Sequence, residues 1–272
     1  MISTTPMRHP ARTFFGALAA SVFSMTSPLH SQPRAFDHAG FNSLLGKHVS
    51  AGLVDYDAFV SADFNRYLSQ LRAFDPAVLP RAEELAFWIN AYNAYTIALI
   101  NKHRERKSIR NINKTAGLIK AYGPWTEKIA NVGGRDYSLD EIEQDIVRPR
   151  FKDARVHFAL VCAALGCPPL RSEAYTGSRL DEQLDDQARV FLLQSPSKNR
   201  VDVAKRTVYL SPIFVEFRDY INDFGGSHQS VGQYVARFFP AGPERELLSG
   251  GKFKLQITKY DWALNAQTNQ KR

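Results

Sequence analysis

The segment from residue 83 to residue 100 constrains the fold most, because its apolar residues recur at helical spacing along its whole length. The stripe consists of Leu85, Trp88, Ile89, Tyr92, Thr96 and Leu99. Asn90 and Asn93 lie in the middle of this helix, although asparagine is a poor helix former. A buried amide costs free energy unless it is hydrogen-bonded. The segment therefore predicts a buried helix whose two asparagines either bridge neighbouring strands or hold a polar ligand.

The composition is that of a folded protein. Of the 272 residues, 44% are hydrophobic and 23% are charged, which excludes a disordered tail protein and a short disulfide scaffold. No repeat, low-complexity tract or linker follows Ala35.

Shorter helical and extended segments flank the central helix. Ser138 and Ser230 each begin a predicted capping box, which marks the start of a helix. The predicted extended segments are a buried strand over residues 155–162, a hairpin over residues 200–210 and a strand over residues 253–257. We therefore expect a single α+β domain over residues 32–272, mainly helical around a small, mostly antiparallel sheet.

The N-terminus has the pattern of a secretory signal peptide. Arg8 and Arg12 precede an apolar run over residues 14–23, and small and polar residues follow it. The run is too short for a membrane span, and no later segment is long and apolar enough. We expect residues 1–31 to be a signal peptide and the protein to be exported, either periplasmic or secreted.

The formal charge of +8 is concentrated in one segment. Residues 102–120 carry seven Lys and Arg side chains against Glu105, whereas the rest of the chain beyond the predicted signal peptide is neutral. Such a segment either is a solvated loop or binds an anionic partner, and we expect no nucleic acid there.

The two cysteines, Cys162 and Cys167, are separated by four residues. An exported protein meets an oxidising compartment, which favours a disulfide between them. The alternative is a reactive thiol near His157. On a strand, His157 and Cys162 point to opposite faces, so a Cys/His pair would use Cys167. Asp261 could orient His157, or it could be an ordinary turn residue.

Other chemistry has little support in the sequence. The histidines show no metal-ligand spacing, and no phosphate-binding loop, dinucleotide-binding loop or nucleophile elbow is present. We expect no metal and no cofactor.

Several blocks together resemble the domain of unknown function 547 family over about residues 41–265. The most specific blocks are Phe87-Trp88-Ile89-Asn90-Ala91-Tyr92-Asn93-Ala94, Val156-His157-Phe158-Ala159-Leu160, Gly166-Cys167-Pro168-Pro169-Leu170 and Tyr260-Asp261-Trp262-Ala263-Leu264-Asn265. The resemblance implies no assigned activity. It implies recurring polar positions at Asn90, Asn93, His157, Cys167 and Asp261. Val161 departs from the asparagine expected in many relatives.

A fold-level analogy extends this resemblance. The order of an asparagine-bearing helix, a His157 strand and Asp261 near a late strand is similar to the order of site residues in papain-like and transglutaminase-like enzymes. This analogy implies a distantly papain-like or transglutaminase-like fold.

Three functional hypotheses follow. The first is an envelope accessory domain that binds a ligand or partner in a pocket lined by Asn90, Asn93, Trp88 and His157. The alternative is a thiol-dependent hydrolase or acyl transferase with Cys167 as nucleophile, His157 as base and Asp261 or an asparagine as orienting residue. The third is a structural Cys162–Cys167 disulfide beneath a partner-binding surface on residues 102–120.

Overall fold

The structure, a computed structural model, describes residues 1–3, 35–113 and 123–271. Apart from its first three residues, the predicted signal peptide over residues 1–31 lies outside the described residues. No helix in the described ranges is long and apolar enough to cross a membrane.

The described helices surround small separate sheets. The α-helical segments are α1 (Ala39–His48), α2 (Ala62–Ala73), α3 (Arg81–Lys102), α4 (Leu139–Glu141, continued by Ile142–Val147 and Arg148–Phe151), α5 (Val156–Ala159), α6 (Leu180–Leu193), α7 (His228–Ala236) and α8 (Pro243–Gly250). Short 3-10 helices lie at Asp57–Phe59, Pro76–Val78, Ile109–Asn111, Pro124–Thr126, Gly177–Arg179, Pro212–Phe214, Tyr220–Phe224 and Gln267–Lys271.

The strands form two hairpins and one three-stranded sheet. Their bounds are β1 (Val49–Ser50), β2 (Leu53–Val54), β3 (Lys128–Val132), β4 (Arg135–Ser138), β5 (Arg200–Asp202), β6 (Thr207–Leu210) and β7 (Lys254–Ile257). The pairs β1–β2, β3–β4 and β5–β6 are antiparallel, whereas β7 pairs parallel to β6. The α+β class and the 200–210 hairpin are thus confirmed, although the strands do not form one sheet.

Helix α3 lies in the larger of two hydrophobic clusters and is buried along nearly its whole length. The smaller cluster gathers the rings of Phe158, Phe191, Phe214 and Phe224. Phe158 directly follows His157 in the chain, so packing of its ring in this cluster fixes where α5 lies.

The prediction of a strand over residues 155–162 was wrong. Residues 156–159 form the single helical turn α5, and the chain becomes extended only at Leu160. The Asp153 carboxylate accepts a hydrogen bond from the Arg155 amide, and the Asp153 carbonyl accepts one from the Val156 amide, which starts the turn. A short run of apolar residues does not distinguish a buried strand from a buried helical turn.

One predicted helix start was also displaced. Helix α7 begins after Ser227, whose hydroxyl accepts a hydrogen bond from the Ser230 amide, three residues before the predicted cap. The capping box at Ser138 is confirmed, because Ser138 and Glu141 exchange side-chain to main-chain hydrogen bonds.

Candidate functional site

The two central asparagines of α3 are bonded to main chain. The Asn90 amide donates to the Tyr175 carbonyl at 2.7 Å and accepts from the Tyr175 amide at 2.9 Å. The Asn93 amide donates to the Ala159 carbonyl and accepts from the Val161 amide, both at 2.9 Å. Each side chain thus pairs with an extended segment as a neighbouring strand would. The prediction that these amides hold a ligand gains no support from these contacts.

His157 is held by an acidic residue that the sequence reasoning missed. Its Nε2 lies 2.6 Å from Oδ2 of Asp223, and its ring centre lies 4.1 Å from that of Tyr220. Arg148 donates to Asp223 at 2.7 Å and to Asp219 at 2.8 Å. Burial raises the pKa of the Asp223 carboxyl, but hydrogen bonds from His157 and Arg148 outweigh it and hold the pKa at about 2. Asp223 is therefore an anion that orients the imidazole.

Glu143 supplies a second acidic group beside His157. It lies in the middle part of α4, Ile142–Val147, which is a π-helix, a local irregularity often found at functional sites. Tyr220 donates a hydrogen bond to Oε1 of Glu143, and the Tyr92 hydroxyl lies 3.4 Å from Oε2. Burial raises the pKa of the Glu143 carboxyl, against the lowering effects of His157 and of the Tyr220 hydrogen bond.

These groups border a cleft of about 350 Å³. Aromatic side chains form much of its lining: Tyr92, Trp125, Phe217, Tyr220, Tyr260 and Trp262. Trp262 packs against Phe217 at 5.8 Å and against Trp125 at 6.0 Å between ring centres. Asp140, Arg218 and Glu216 add charge to the lining, and Arg218 donates to Asp140 at 2.5 Å. The cleft therefore combines apolar faces with a few polar groups, as small-molecule sites do.

The two cysteines also line this cleft, and they form a disulfide with a Cα–Cα distance of 6.2 Å. The Tyr260 hydroxyl lies 3.1 Å from both sulfur atoms. The predicted disulfide pairing is thus present. In this form Cys167 has no thiol with which to act as a nucleophile. His157 and Cys162 line one cleft because a helical turn, not a strand, precedes the extended segment.

Asp261 has a different setting from the one predicted. Its carboxylate accepts a hydrogen bond from the Ala263 amide at 2.9 Å, as in an ordinary turn. It borders a second pocket of about 460 Å³ together with Lys198, and the carboxylate bonded to His157 belongs to Asp223. The proposed orienting role of Asp261 therefore gains no support from the hydrogen bonds of His157.

Trp88 lies away from the aromatic cleft. Its ring packs at 5.6 Å against Tyr137, and it borders a separate groove with Glu84 and Arg150. Its predicted ligand-binding role stays a prediction.

The basic segment is partly neutralised by acidic side chains from other parts of the fold. Lys102 pairs with Glu127 at 2.7 Å, and Arg106 pairs with Asp57 at 2.5 Å. Residues 114–120 of this segment lie outside the described residues. Binding of an anionic partner there stays a prediction.

In the part of the chain that the structure describes, no group of three or more His, Cys, Asp or Glu side chains is arranged to hold a metal ion.

Asp223, Glu143 and Tyr220 were not among the predicted site residues. Asp223 lies 66 positions after His157 in the chain, so no local spacing relates the two. For Glu143 the available signal was its position on the helix that follows the Ser138 capping box.

Comparison with known proteins gives a family but no activity. The model of a family of proteins of unknown function, DUF547, matches residues 76–192. No curated protein and no solved structure matches the chain, so the papain-like or transglutaminase-like analogy has no support. The match includes Asn93, Glu143, His157 and both cysteines, whereas Asp223 and Tyr260 lie beyond it. Over residues 76–192 the chain is therefore similar to the DUF547 family, as its sequence motifs indicate.

Proposed function

We propose that this chain is an exported protein whose cleft binds a small organic ligand that is neutral or positively charged. The observation that carries the proposal is that aromatic side chains, buried Glu143 and His157 line one cleft of about 350 Å³. The His157 imidazole is held there by its bond to Asp223, which lies outside the lining. Clefts of this size and composition are typical of small-molecule sites.

The aromatic faces supply most of the expected binding free energy. Trp125, Trp262 and Phe217 are only partly buried, so their rings remain able to pack against a ligand. Aromatic faces bind apolar and sugar rings through area burial, and they attract cations through their quadrupoles. Arg110 already makes a cation–π contact of this kind, because its guanidinium carbon lies 5.0 Å from the centre of the Trp262 ring.

The charges of the lining disfavour an anion. Among the described residues that line the cleft, Arg218 is bonded to Asp140 and His157 is bonded to Asp223. Glu216 is exposed, and Glu143 is a further carboxyl group at the cleft. An anion would therefore meet carboxyl groups there, and the two basic side chains among the described lining residues are already bonded to carboxylates.

Export has two supports of different kinds. The first is the signal-like pattern of residues 1–31, and the second is the disulfide between Cys162 and Cys167, a bond typical of oxidising compartments. Expression of the full chain in a bacterium tests export. We expect a periplasmic or secreted product with its N-terminus after about residue 31. A cytoplasmic product with an intact N-terminus would contradict it.

Tryptophan fluorescence tests binding, because Trp125 and Trp262 line the cleft. The probes are spermidine, glucosamine and N-acetylglucosamine, with succinate as an anionic comparison. We expect saturable quenching by at least one of the first three probes and none by succinate. Trp262→Ala should abolish the binding, whereas Tyr209→Phe on β6 should preserve it. Binding of succinate alone, or binding that survives Trp262→Ala, would contradict the proposal.

A second candidate function is acid–base catalysis, which the His157–Asp223 pair beside Glu143 favours. A carboxyl group whose pKa is raised by burial can hold a proton for a leaving group, and an imidazole oriented by a carboxylate can accept one from water. The two roles need different environments, and the cleft supplies both. The thiol-dependent alternative needs Cys167 to be reduced first.

Hydrolysis of p-nitrophenyl esters and glycosides distinguishes the two forms of catalysis. Acid–base catalysis predicts a loss of about 100-fold or more for Glu143→Gln and for His157→Gln, and no requirement for a reductant. Thiol catalysis predicts activity only after treatment with dithiothreitol, and its loss in Cys167→Ser. Hydrolysis that is unchanged in all three variants would exclude catalysis at this cleft.

A further inference from the structure

The disulfide in the cleft has contacts that a purely structural cross-link does not need. The Cys162 amide donates to Sγ of Cys167 at 3.1 Å, and the Tyr260 hydroxyl lies 3.1 Å from the same sulfur. A disulfide sulfur is a weak acceptor, but a thiolate sulfur is a strong one because it carries the charge. The Cys162 amide therefore suits Cys167 better as a thiolate than as half of a disulfide. The Tyr260 hydroxyl is equally close to both sulfurs and can donate to the one that becomes the thiolate.

The two sulfurs also differ in accessibility. Cys167 is 2% exposed, whereas Cys162 is only half-buried, and both line the cleft. An incoming group can thus reach Cys162 more readily. In thiol–disulfide exchange the attacked sulfur must be accessible and the leaving sulfur must stabilise a negative charge.

Lys198 adds a positive charge near Cys167, in the second pocket that Cys167 also borders. Its ammonium donates to the Cys167 carbonyl at 2.7 Å, and it borders the second pocket. Burial lowers the pKa of Lys198 to about 8, against the raising effect of Asp261, so the ammonium is mostly charged at pH 7. Burial and the charge of Glu143 raise the pKa of the Tyr260 hydroxyl, which therefore remains a donor.

We propose that the cleft disulfide undergoes exchange with small-molecule thiols, with Cys162 as the attacked sulfur and Cys167 as the leaving thiolate. A thiolate such as that of cysteine or glutathione attacks Sγ of Cys162 and forms a mixed disulfide. The Cys162–Cys167 bond breaks, and its electron pair stays on Cys167, facing the Cys162 amide and the Tyr260 hydroxyl. A second thiolate attacks the sulfur of the bound small molecule, releases its disulfide and leaves Cys162 as a thiolate. Two small-molecule thiols are oxidised to one disulfide, and the protein gains two electrons. The two protons that those thiols release go to solvent or to the two new cysteine thiolates.

This activity is independent of ligand binding by the cleft. Exchange leaves both cysteines reduced at the cleft, and reduction of Cys167 is the condition that the thiol-dependent hydrolase requires.

The test follows reduction of the folded protein by glutathione at pH 7. Samples are quenched with acid and alkylated, and their masses are measured while circular dichroism reports the fold. We expect reduction of the wild type with the fold retained, and a glutathione adduct that peptide mapping places on Cys162. An adduct on Cys167, or no reduction of the folded protein, would overturn the proposal.

The Tyr260→Phe variant tests whether the Tyr260 hydroxyl stabilises the leaving thiolate or only supports the fold. Loss of one donor to the leaving thiolate should slow reduction roughly tenfold, whereas Tyr209→Phe should leave the rate unchanged. A disulfide that opens only when the chain unfolds would instead be reduced faster in a destabilised Tyr260→Phe. An unchanged or faster rate in that variant would therefore refute the role given to Tyr260. The position of the adduct in the wild type tests the proposal even if the variant does not fold.

Discussion

Replacement of Asn93 by alanine should destabilise the protein strongly, because this one amide satisfies two main-chain groups. Asn93 is 4% exposed and bonds the Ala159 carbonyl and the Val161 amide. None of the strands in the described part of the chain pairs with the extended segment between these two groups, so none replaces the lost partners. Asn93→Ala would therefore leave one buried donor and one buried acceptor unpaired.

The size of the effect follows from those two groups. A buried group left without its partner costs about 1–3 kcal/mol, so two cost about 2–6 kcal/mol. Alanine is the better helix former by about 0.6 kcal/mol, which offsets a small part. We expect a net loss of about 2–5 kcal/mol, a large share of the roughly 5–15 kcal/mol that stabilises a typical domain.

Urea denaturation followed by circular dichroism measures this loss directly. Asn90→Ala should give a loss of similar size, because the Asn90 amide bonds both main-chain groups of Tyr175. Asn65→Ala is the matched control, since Asn65 is exposed on α2, and it should not destabilise the protein because only the helix propensity changes, by about 0.6 kcal/mol in favour of alanine. A loss below about 1 kcal/mol in Asn93→Ala would show that the extended segment does not depend on the amide.

Three further predictions concern pH and packing. At pH 7 Asp223→Asn should be less stable than the wild type. This difference should shrink as the pH falls from about 4 towards the Asp223 pKa of about 2, and urea denaturation at each pH measures it. Burial lowers the pKa of His38 from 6.5 to about 4, against the raising effect of Asp37, so the unfolded chain takes up the proton first. Stability should therefore fall as the pH drops from 6.5 to 4, and His38→Gln should remove that part of the dependence in the same measurement. A Cβ on Gly166 would lie 2.9 Å from the Tyr260 ring, so Gly166→Ala should lower the free energy of unfolding by about 1–3 kcal/mol, as measured by thermal denaturation. A Cβ on Gly40 meets nothing within 4 Å, so Gly40→Ala should not be destabilising.

The sequence was most informative where one local pattern decides the structure. Apolar periodicity predicted a helix over residues 83–100, and the structure has α3 at Arg81–Lys102. The cost of two buried amides predicted that Asn90 and Asn93 need specific partners, and both have them. The Ser138 capping box and the β5–β6 hairpin were predictable for the same reason, because each depends on residues only a few positions apart.

Prediction failed where the structure depends on distant residues. Residues 155–162 could form a strand only if another strand lay beside them to pair with their main chain. Instead, the Asn93 amide bonds the Ala159 carbonyl and the Val161 amide, as a neighbouring strand would. The pairing of His157 with Asp223 requires the 3-10 helix Tyr220–Phe224 to lie against α5, and no spacing in the chain indicates that contact.

The error in local structure explains the error in the predicted site. A strand would place His157 and Cys162 on opposite faces, which favoured Cys167 as the partner of His157. A helical turn followed by extended chain brings His157 and both cysteines to one cleft, but the imidazole is bonded to Asp223 and the sulfurs are bonded to each other. Asn93 holds the point where turn becomes extended chain, so it acts on the cleft through the main chain between His157 and Cys162. A loss of exchange or ligand binding in Asn93→Ala would thus report a displaced segment, whereas the same loss in Tyr260→Phe or Trp262→Ala, with the fold intact, would report the chemistry of the cleft itself.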